Sequence, residues 1–521
     1  MQGLNKESNI DSVLLEHFQR EIWSKVPHLE EKLGEVKVIN ATPLLDVTED
    51  LRECARSEYG LDLADKDLRV FGKFDSNLLA GSIKVRPAVQ IIHDAIVTGN
   101  LRRGHTVFEA TSGNFGIALG QIAKLGLDVV VLVSRKLQEG VFEELRNEKI
   151  HIINLDMDIC PAPGMKVSAN LLAAKATASN IRSQLSEFGF DTAIFDRSRS
   201  DVEALLASQD IINLAKLLAK IYGCFCPEQY DNQLNIEVHR TVTAQEIDQQ
   251  LSEQGHSLGD FRIVCTFGTG GTSGGLSRYL MEKYGKKSLH VVFPLGDQDV
   301  AGIRTKGKAL GLKFYEPERY AGQHEVDFGQ AKRLLKFFVD KGHDIGESSA
   351  LALYAVIQIA NFGYGGKFVV IIADGIQKYR RSLATMEGKQ KRLQVTLQEA
   401  VSNIGDYNSI LWIHTMYTPR KEGIELIANS LGCDESKISV PRASDVERLL
   451  ATQEIPEEVG KALGEANGKS LLVCMMGNTS FQAAQVLAGK GIVAESLTGG
   501  ISALSEGKGK QISELVQIAT E

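Results

Sequence analysis

An α/β fold built around a largely parallel sheet is what this sequence predicts, and three observations carry it. Short buried-type apolar runs read as strands, segments of 3.6-residue periodicity lie between them, and small-residue turns sit where a run gives way to a helix. VFGKF (70–74) precedes a helix from about Val85, and HTVFEA (105–110) precedes one from about Gly116. DVVVLVS (128–134) leads into LQEGVFEELRNE (137–148), and HIINLD (151–156) follows. RIVCTF (262–267), LHVVFPL (289–295) and KFVVIIADG (367–375) supply further buried strands.

The remaining segments frame that core. From SVLLEHFQREIWSKV onward the first ~35 residues read as an amphipathic helix with a charged face. Residues 161–206, opening at CPAPG (160–164), are polar and helical in pattern, an excursion from the core. MEGKQKRLQ (386–394) is a charged connector, after which a separate α/β pattern begins. The expected organisation is therefore an N-terminal helical extension over 1–37, a main domain over 38–385, a linker over 386–394 and a second α/β domain over 395–521.

Composition bounds the function. A 521-residue chain is long enough for two or three domains with substantial cores. Its net charge of −8, without a basic stripe, disfavours nucleic acid and acidic membrane surfaces as partners. The first residues lack the apolar core of a secretory signal and no run reaches ~18 apolar residues, so a cytoplasmic protein with no membrane association is expected. Seven cysteines, at 54, 160, 224, 226, 265, 433 and 474, are an odd, scattered set and no disulfide framework. Cys224 and Cys226 lack a second pair at ligand spacing, so no metal site is expected.

Three segments carry chemistry. In GSIKVRPA (81–88), Lys84 stands where a strand turns into a helix, with Gly81 and Ser82 removing bulk before it. Partial burial and the positive helix end would lower its pKa and suit it to a Schiff base with an aldehyde. GTGGTSGG (268–275) follows a buried strand and opens a helix, so the amides of Gly268, Thr269, Gly270, Gly271 and Thr272 converge where a dianionic phosphate can lie. No lysine follows the glycines as in a nucleotide P-loop, and no acidic residue follows the next strand as in a dinucleotide site. TSGNFG (111–116) also ends a strand and opens a helix; its hydroxyls and amides suit a carboxylate, and Asn114 can donate to a phenolate oxygen. Taken singly these are a surface lysine, a tight turn and a helix cap. Together they imply pyridoxal phosphate and amino-acid chemistry.

In this order and spacing the segments resemble the fold type II pyridoxal-phosphate enzymes, most closely the cysteine synthase and cystathionine β-synthase group. The resemblance runs from about Val38 to Leu383 and adds QYDNQLNIEVHRTVTAQEI (229–247), IGESSALALYA (345–355) and VVIIADGIQKY (369–379). It implies a fold of two α/β subdomains and a homodimer. It further implies that Lys84 holds the cofactor aldehyde, that Asn114 contacts the ring oxygen and that Gly268 to Thr272 hold the phosphate. Thr111, Ser112 and Gln229 would contact the carboxylate of a small amino-acid substrate. Two departures stand out. Val85 replaces the acidic residue of the family's K-D-R, and Gly375 replaces the serine that meets the pyridine nitrogen, leaving that place to a water, another side chain or Asp374.

The implied activity is replacement or elimination at Cβ of a β-substituted L-alanine such as cysteine, O-acetylserine or O-phosphoserine. Glu347, before Ser348 and Ser349, leans towards elimination. A synthase of a non-sulfur β-substituted alanine, such as a diamino acid, and a non-catalytic cofactor-binding scaffold are the alternatives. KSLLVCMMGNTSFQAAQVLAGKGIVAESLTGGISAL (469–504) resembles the active-site half of rhodanese-like domains, over about Val395 to Leu504. There Cys474 would open a loop whose amides stabilise a persulfide. His414, Thr415 and Met416 replace that family's D-x-R, and the loop carries Met475 and Met476 without a cation.

Overall fold

The computed structural model describes residues 10–518 apart from 33–34, 65, 135–138, 149, 156–170, 297, 362–364, 381–382, 384–392, 416, 465–467, 476 and 507–511. The chain forms two compact units, one drawing on residues up to Leu155 and on Ile181–Ala384, the other on Val167–Asn180 and Thr385–Glu521. The expected linker lies almost wholly outside the described residues, as do Cys160 with the CPAPG turn, Met416 and Met476.

The first unit begins with the helix Ser12–Glu21, started by Asp11, whose carboxylate accepts the Leu14 amide. The expected long helix ends there. Beyond it, β1 (His28–Lys32) pairs antiparallel with β2 (Glu35–Ile39). Pro27 and the β-branched EVKVI explain the switch, because proline offers no amide to a continuing helix and alternating Val36, Val38 fit a pleat. The N-terminal extension is thus part helix and part hairpin.

Two sheets follow. One begins with β3 (Leu44–Asp46) and β4 (Leu68–Phe74). The other contains β5 (Thr106–Ala110), β6 (Asp128–Ser134) and β7 (His151–Leu155), all parallel. The first is completed by β8 (Phe261–Thr266), β9 (Leu289–Pro294), β10 (Gly322–Val326) and β11 (Gly366–Ile372), in the order β10-β9-β8-β11-β4-β3. Only the β3–β4 pair is antiparallel. Both faces of β11 are buried: Phe368, Val370 and Ile372 enter one core while Val369 and Ile371 enter the other. That is why the run reads as continuously apolar rather than alternating. After Leu155 the described part of the excursion is the helices Leu171–Glu187, Thr192–Arg197, Arg199–Ala207 and Ile211–Tyr222. β8 and β11 lie next to each other at the sheet centre with β4 beyond β11, so their carboxyl ends share one rim, the usual place for a ligand in such sheets.

The second unit has its own parallel sheet, of β12 (Gln394–Val395), β13 (Tyr407–Trp412), β15 (Ile438–Ser439), β16 (Lys469–Val473) and β17 (Val493–Leu497), ordered β12-β17-β16-β13-β15. β14 (Tyr417–Pro419) pairs antiparallel with β18 (Val516–Ile518). Ile410, Trp412, Leu471 and Val473 fill one side of this sheet, and Leu411, Ile413 and Leu472 the other. Among the described residues no helix is long and apolar enough to cross a membrane.

Candidate active site

Lys84 directly precedes the helix Val85–Val97, and its turn is stitched to the end of β11. The Ile83 amide donates to the Ala373 carbonyl at 2.7 Å, and Ser82 forms a bridge with Asp374. The Lys84 ammonium reaches Thr269 Oγ1 at 3.4 Å, which joins the lysine turn to the glycine loop after β8. Burial, and then the charge of Arg304, lower its pKa to about 8. The sequence reading named burial and the helix end; to burial the structure adds the neighbouring cation of Arg304. Arg304 is buried, held by its amide to the Phe267 carbonyl (2.8 Å) and by Nη2 to the Tyr230 hydroxyl (2.9 Å).

The loop Gly268–Thr272 ends in an open helix N-terminus. Gly270, with φ +92°, precedes the helix Gly271–Tyr284, and no side chain caps it. An L-residue at 270 would be strained and its Cβ would strike the carbonyl of Phe314 at 2.7 Å. Glycines 271, 274 and 275 serve packing: a Cβ at any of them would press on the helix Leu234–Val238 or its continuation. Thr269 Oγ1 takes hydrogen bonds from Asn235 Nδ2 (3.0 Å) and the Gly271 amide (3.3 Å). Thr272 Oγ1 meets His239 Nε2 at 3.3 Å, while His239 Nδ1 meets Thr243 Oγ1 at 3.0 Å. Burial, then Arg86 and Lys84, push His239 well below its ordinary pKa, so it is a neutral link to the loop. It lies on a stretch of π-helix, His239–Thr243, a distortion common at functional sites.

The third segment follows β5. Gly113, with φ +122°, precedes the helix Asn114–Ala123. Thr111 Oγ1 accepts the amides of Gly113 (3.0 Å) and Gly116 (3.1 Å), so its hydroxyl is largely spent on its own loop. Ser112 is exposed and lies against the turn at Gly302, which makes it the accessible hydroxyl of the pair. Gln229 is buried, its amide donating to the Ala110 carbonyl at 2.9 Å. Beneath it Glu109 is raised to about 8 by burial, although the Gln229 and Ala110 amides donate to it. Asn114 is clamped at both ends: Nδ2 donates to Asp374 Oδ2 at 2.8 Å and Oδ1 accepts from Lys378 Nζ at 2.5 Å. Its expected role at the ring oxygen must coexist with that clamp.

Gly375 closes the site at the end of β11. A Cβ there would run into the carboxylate of Asp344, closer than real Cβ atoms approach anything. Asp344, on the turn between the helices Phe328–Asp340 and Glu347–Asn361, also accepts the Ile376 amide at 2.9 Å. Nothing in the sequence pairs these two positions.

Below the lysine helix lies a charge cluster that pattern reading missed. Arg86 is fully buried and bonds Asp75 (Nη2 to Oδ1, 2.7 Å) and Glu246 (Nη1 to Oε2, 2.7 Å). Lys73 bonds the other oxygen of Glu246 at 2.5 Å. Two cations and two anions, all with fully buried side chains, thus offset one another. The chain positions are too far apart to signal the pairing, although Arg86 within the lysine turn and Glu246 within 229–247 are both on matching segments. Val85, which replaces an acidic residue, is fully buried beside it.

A lysine amine held near neutrality beside an uncapped glycine-rich helix start is the site of an enzyme using an aldehyde-bearing phosphate ester. The chain belongs to the pyridoxal-phosphate dependent enzyme family, whose model matches residues 56–375. It is similar to the cysteine synthase of Staphylococcus aureus, with 25% identity over 328 residues, 60% of this chain and 88% of that one. It also matches a probable cysteine synthase of Bacillus subtilis, 26% identical over 314 residues (58% and 84%), and cysteine synthase B of Pseudomonas aeruginosa, 26% over 311 (60% and 87%). Among solved structures, an O-ureido-L-serine synthase matches with TM-score 0.49 and 20% identity, covering 67% of this chain and 93% of that one. This is a pyridoxal-phosphate-dependent enzyme. The residues fit the cofactor: a half-buried lysine amine for the aldehyde hydrogen-bonds Thr269 Oγ1 at 3.4 Å, within the glycine loop that leads into a helix N-terminus for the phosphate.

In the second unit, Cys474 follows β16 and is 2% exposed. Its Sγ accepts from the Gly477 amide (3.1 Å) and Ser480 Oγ (3.2 Å) at the start of the helix Asn478–Gly489. His414 is buried, with Nε2 on the Pro441 carbonyl at 2.8 Å, and contributes no charge to a ligand there.

Proposed function

We propose that this enzyme replaces or eliminates the β-substituent of a β-substituted L-alanine of the cysteine, O-acetylserine or O-phosphoserine type. The observation that carries the reading is the Lys84 amine, lowered to about 8 and set against Thr269 of the glycine loop. Ser112 and Gln229, with the amides after β5, hold the substrate carboxylate; Thr111 shapes that turn. Lys84 Nζ, poised near neutral pH, takes the proton from Cα and returns it when the product forms. Pyridoxal phosphate, when bound, supplies the sink for the electron pair left at Cα. Gly268 to Thr272 hold its phosphate and Asn114 its ring oxygen. The similarity to cysteine synthases supports sulfur as the element exchanged. On the family resemblance we also read the enzyme as a homodimer, and on the apolar patterning of the chain as cytoplasmic.

Presenting the holoenzyme with cysteine, O-acetylserine and O-phosphoserine in turn, each alone and with added sulfide or ammonia, while following sulfide, pyruvate and new amino acids, tests this. Turnover of at least one substrate is expected. Turnover of none, with the cofactor bound, would favour the scaffold reading, and turnover only with a nitrogen nucleophile would favour a diamino-acid synthase.

For the second unit we propose a rhodanese-like domain, spanning 395–521, in which Cys474 carries sulfur. Two donors aimed at Sγ support it. Its burial requires the loop to open before a donor molecule can reach the thiol. Incubation with thiosulfate should add one sulfur to the peptide holding Cys474 and release sulfite; an unchanged mass would leave the cysteine a packing residue.

A further inference from the structure

We propose that Asp344 is the partner of the cofactor's pyridine nitrogen, its carboxylate accepting a hydrogen bond from that nitrogen in the protonated state. This rests on the reading of Lys84 and the glycine loop as the cofactor site. The aldehyde and phosphate arms leave adjacent carbons of the pyridine ring, and the nitrogen is the corner opposite the aldehyde carbon. The lysine turn follows β4 and the glycine loop follows β8, while β11 lies between these two strands. Residues after Ile372, and whatever packs on them, therefore floor the space between the two anchors. The group that meets the nitrogen has to come from there.

Few polar side chains qualify. Ala373 offers none, and its backbone is occupied: its carbonyl accepts Ile83 and its amide donates to Ser349 Oγ at 3.1 Å. Asp374 Oδ2 accepts from Asn114 and from the Tyr379 hydroxyl (2.6 Å), with the Lys378 ammonium 3.7 Å away. Its Oδ1 is packed against Gly346, out of solvent contact and without a hydrogen-bond partner among the described residues. Gly375 has no side chain. The carboxylate of Asp344 fills the volume that a side chain at 375 would take, which only glycine permits. One oxygen is oriented by the Ile376 amide at 2.9 Å, the other has no partner among the described residues, and the residue is only half-buried. Gly375 and Asp344 act as a pair: removing a side chain at one position admits a carboxylate from the other.

The consequence is electronic. A neutral hydroxyl leaves a pyridine nitrogen unprotonated, whereas a carboxylate stabilises the pyridinium and deepens the electron sink at Cα. Asp344 thus sets this enzyme towards stronger stabilisation of charge at Cα.

The test is ¹⁵N NMR of holoprotein loaded with pyridoxal phosphate labelled at the ring nitrogen. Borohydride trapping on Lys84 first checks the underlying site; failure there refutes the cofactor reading, independently of Asp344. With trapping intact, the wild type should resonate in the pyridinium region and Asp344→Asn in the free-pyridine region. A wild-type signal in the free-pyridine region, or an unshifted signal in Asp344→Asn, overturns the proposal. Should Asp344→Asn fail to load, the double variant Asp344→Ala/Gly375→Ser, which exchanges the carboxylate for a hydroxyl, decides: a free-pyridine signal supports the assignment and a pyridinium signal overturns it.

Discussion

The turn after β8 and the turn after β16 are built alike and used differently. Each follows a buried parallel strand, each places a glycine in the left-handed region before a helix (Gly270 at +92°, Gly477 at +87°), and neither helix has a side-chain cap. At the first, Thr269 Oγ1 takes the Gly271 amide, and Lys84 and buried Arg304 gather around the helix start. At the second, the chain's own Cys474 sulfur takes the Gly477 amide and the Ser480 hydroxyl. A glycine-rich strand-to-helix turn is therefore only a cradle; what decides its use is whether protein or ligand satisfies it.

The sharpest way to break this comparison is to remove the amine. Lys84→Ala should lower turnover roughly a thousandfold, the size expected for loss of a base in the transition state, measured with whichever substrate the wild type accepts. Less than a tenfold loss would move the chemistry elsewhere.

The two glycines give the next largest contrast. Gly270→Ala forces a left-handed alanine, a cost of about 1–2 kcal/mol, and drives its Cβ into Phe314, so cofactor affinity should fall about tenfold or more by equilibrium titration. Gly477→Ala meets similar obstruction, from the Gly499 amide and the Leu497 carbonyl, and should leave cofactor affinity unchanged.

A smaller effect is expected from pH. Glu109 is raised from its ordinary 4.5 to about 8 by burial, so between those values the fold holds a proton the unfolded chain has lost, and stability falls as pH rises. Lys84 is lowered from 10.5 to about 8, so above 8 the unfolded chain holds the extra proton and stability rises again until 10.5. Chemical denaturation of the apoprotein should show these two groups as a minimum near pH 8, which Lys84→Met should flatten on its alkaline side. Smallest of all, Cys474→Ala should leave cofactor binding intact and change stability by no more than about 2 kcal/mol, the loss of one small buried side chain with two weak bonds.

What the sequence revealed and what it hid follow from locality. Lys84, the glycine loop and TSGNFG were legible because each is a strand end, a turn and a helix start within a few residues. The Gly375 substitution was legible as a loss, but its complement at Asp344 was not, since a single aspartate on a turn carries no pattern of its own. His239 and Glu246 lay in plain view within 229–247, and their roles depend on Thr272 and Arg86, which only folding brings near. β1 was misread as helix because the amphipathic period of SVLLEHFQREIWSKV was carried past Pro27, which ends it, into HLEEK.

The account's central claim is the covalent attachment of the cofactor at Lys84. Borohydride reduction of the holoprotein followed by peptide mass mapping tests it directly: the account predicts a reduced pyridoxyl group on the peptide containing Lys84. A cofactor fixed to any other lysine, with Lys84 unmodified, would contradict it.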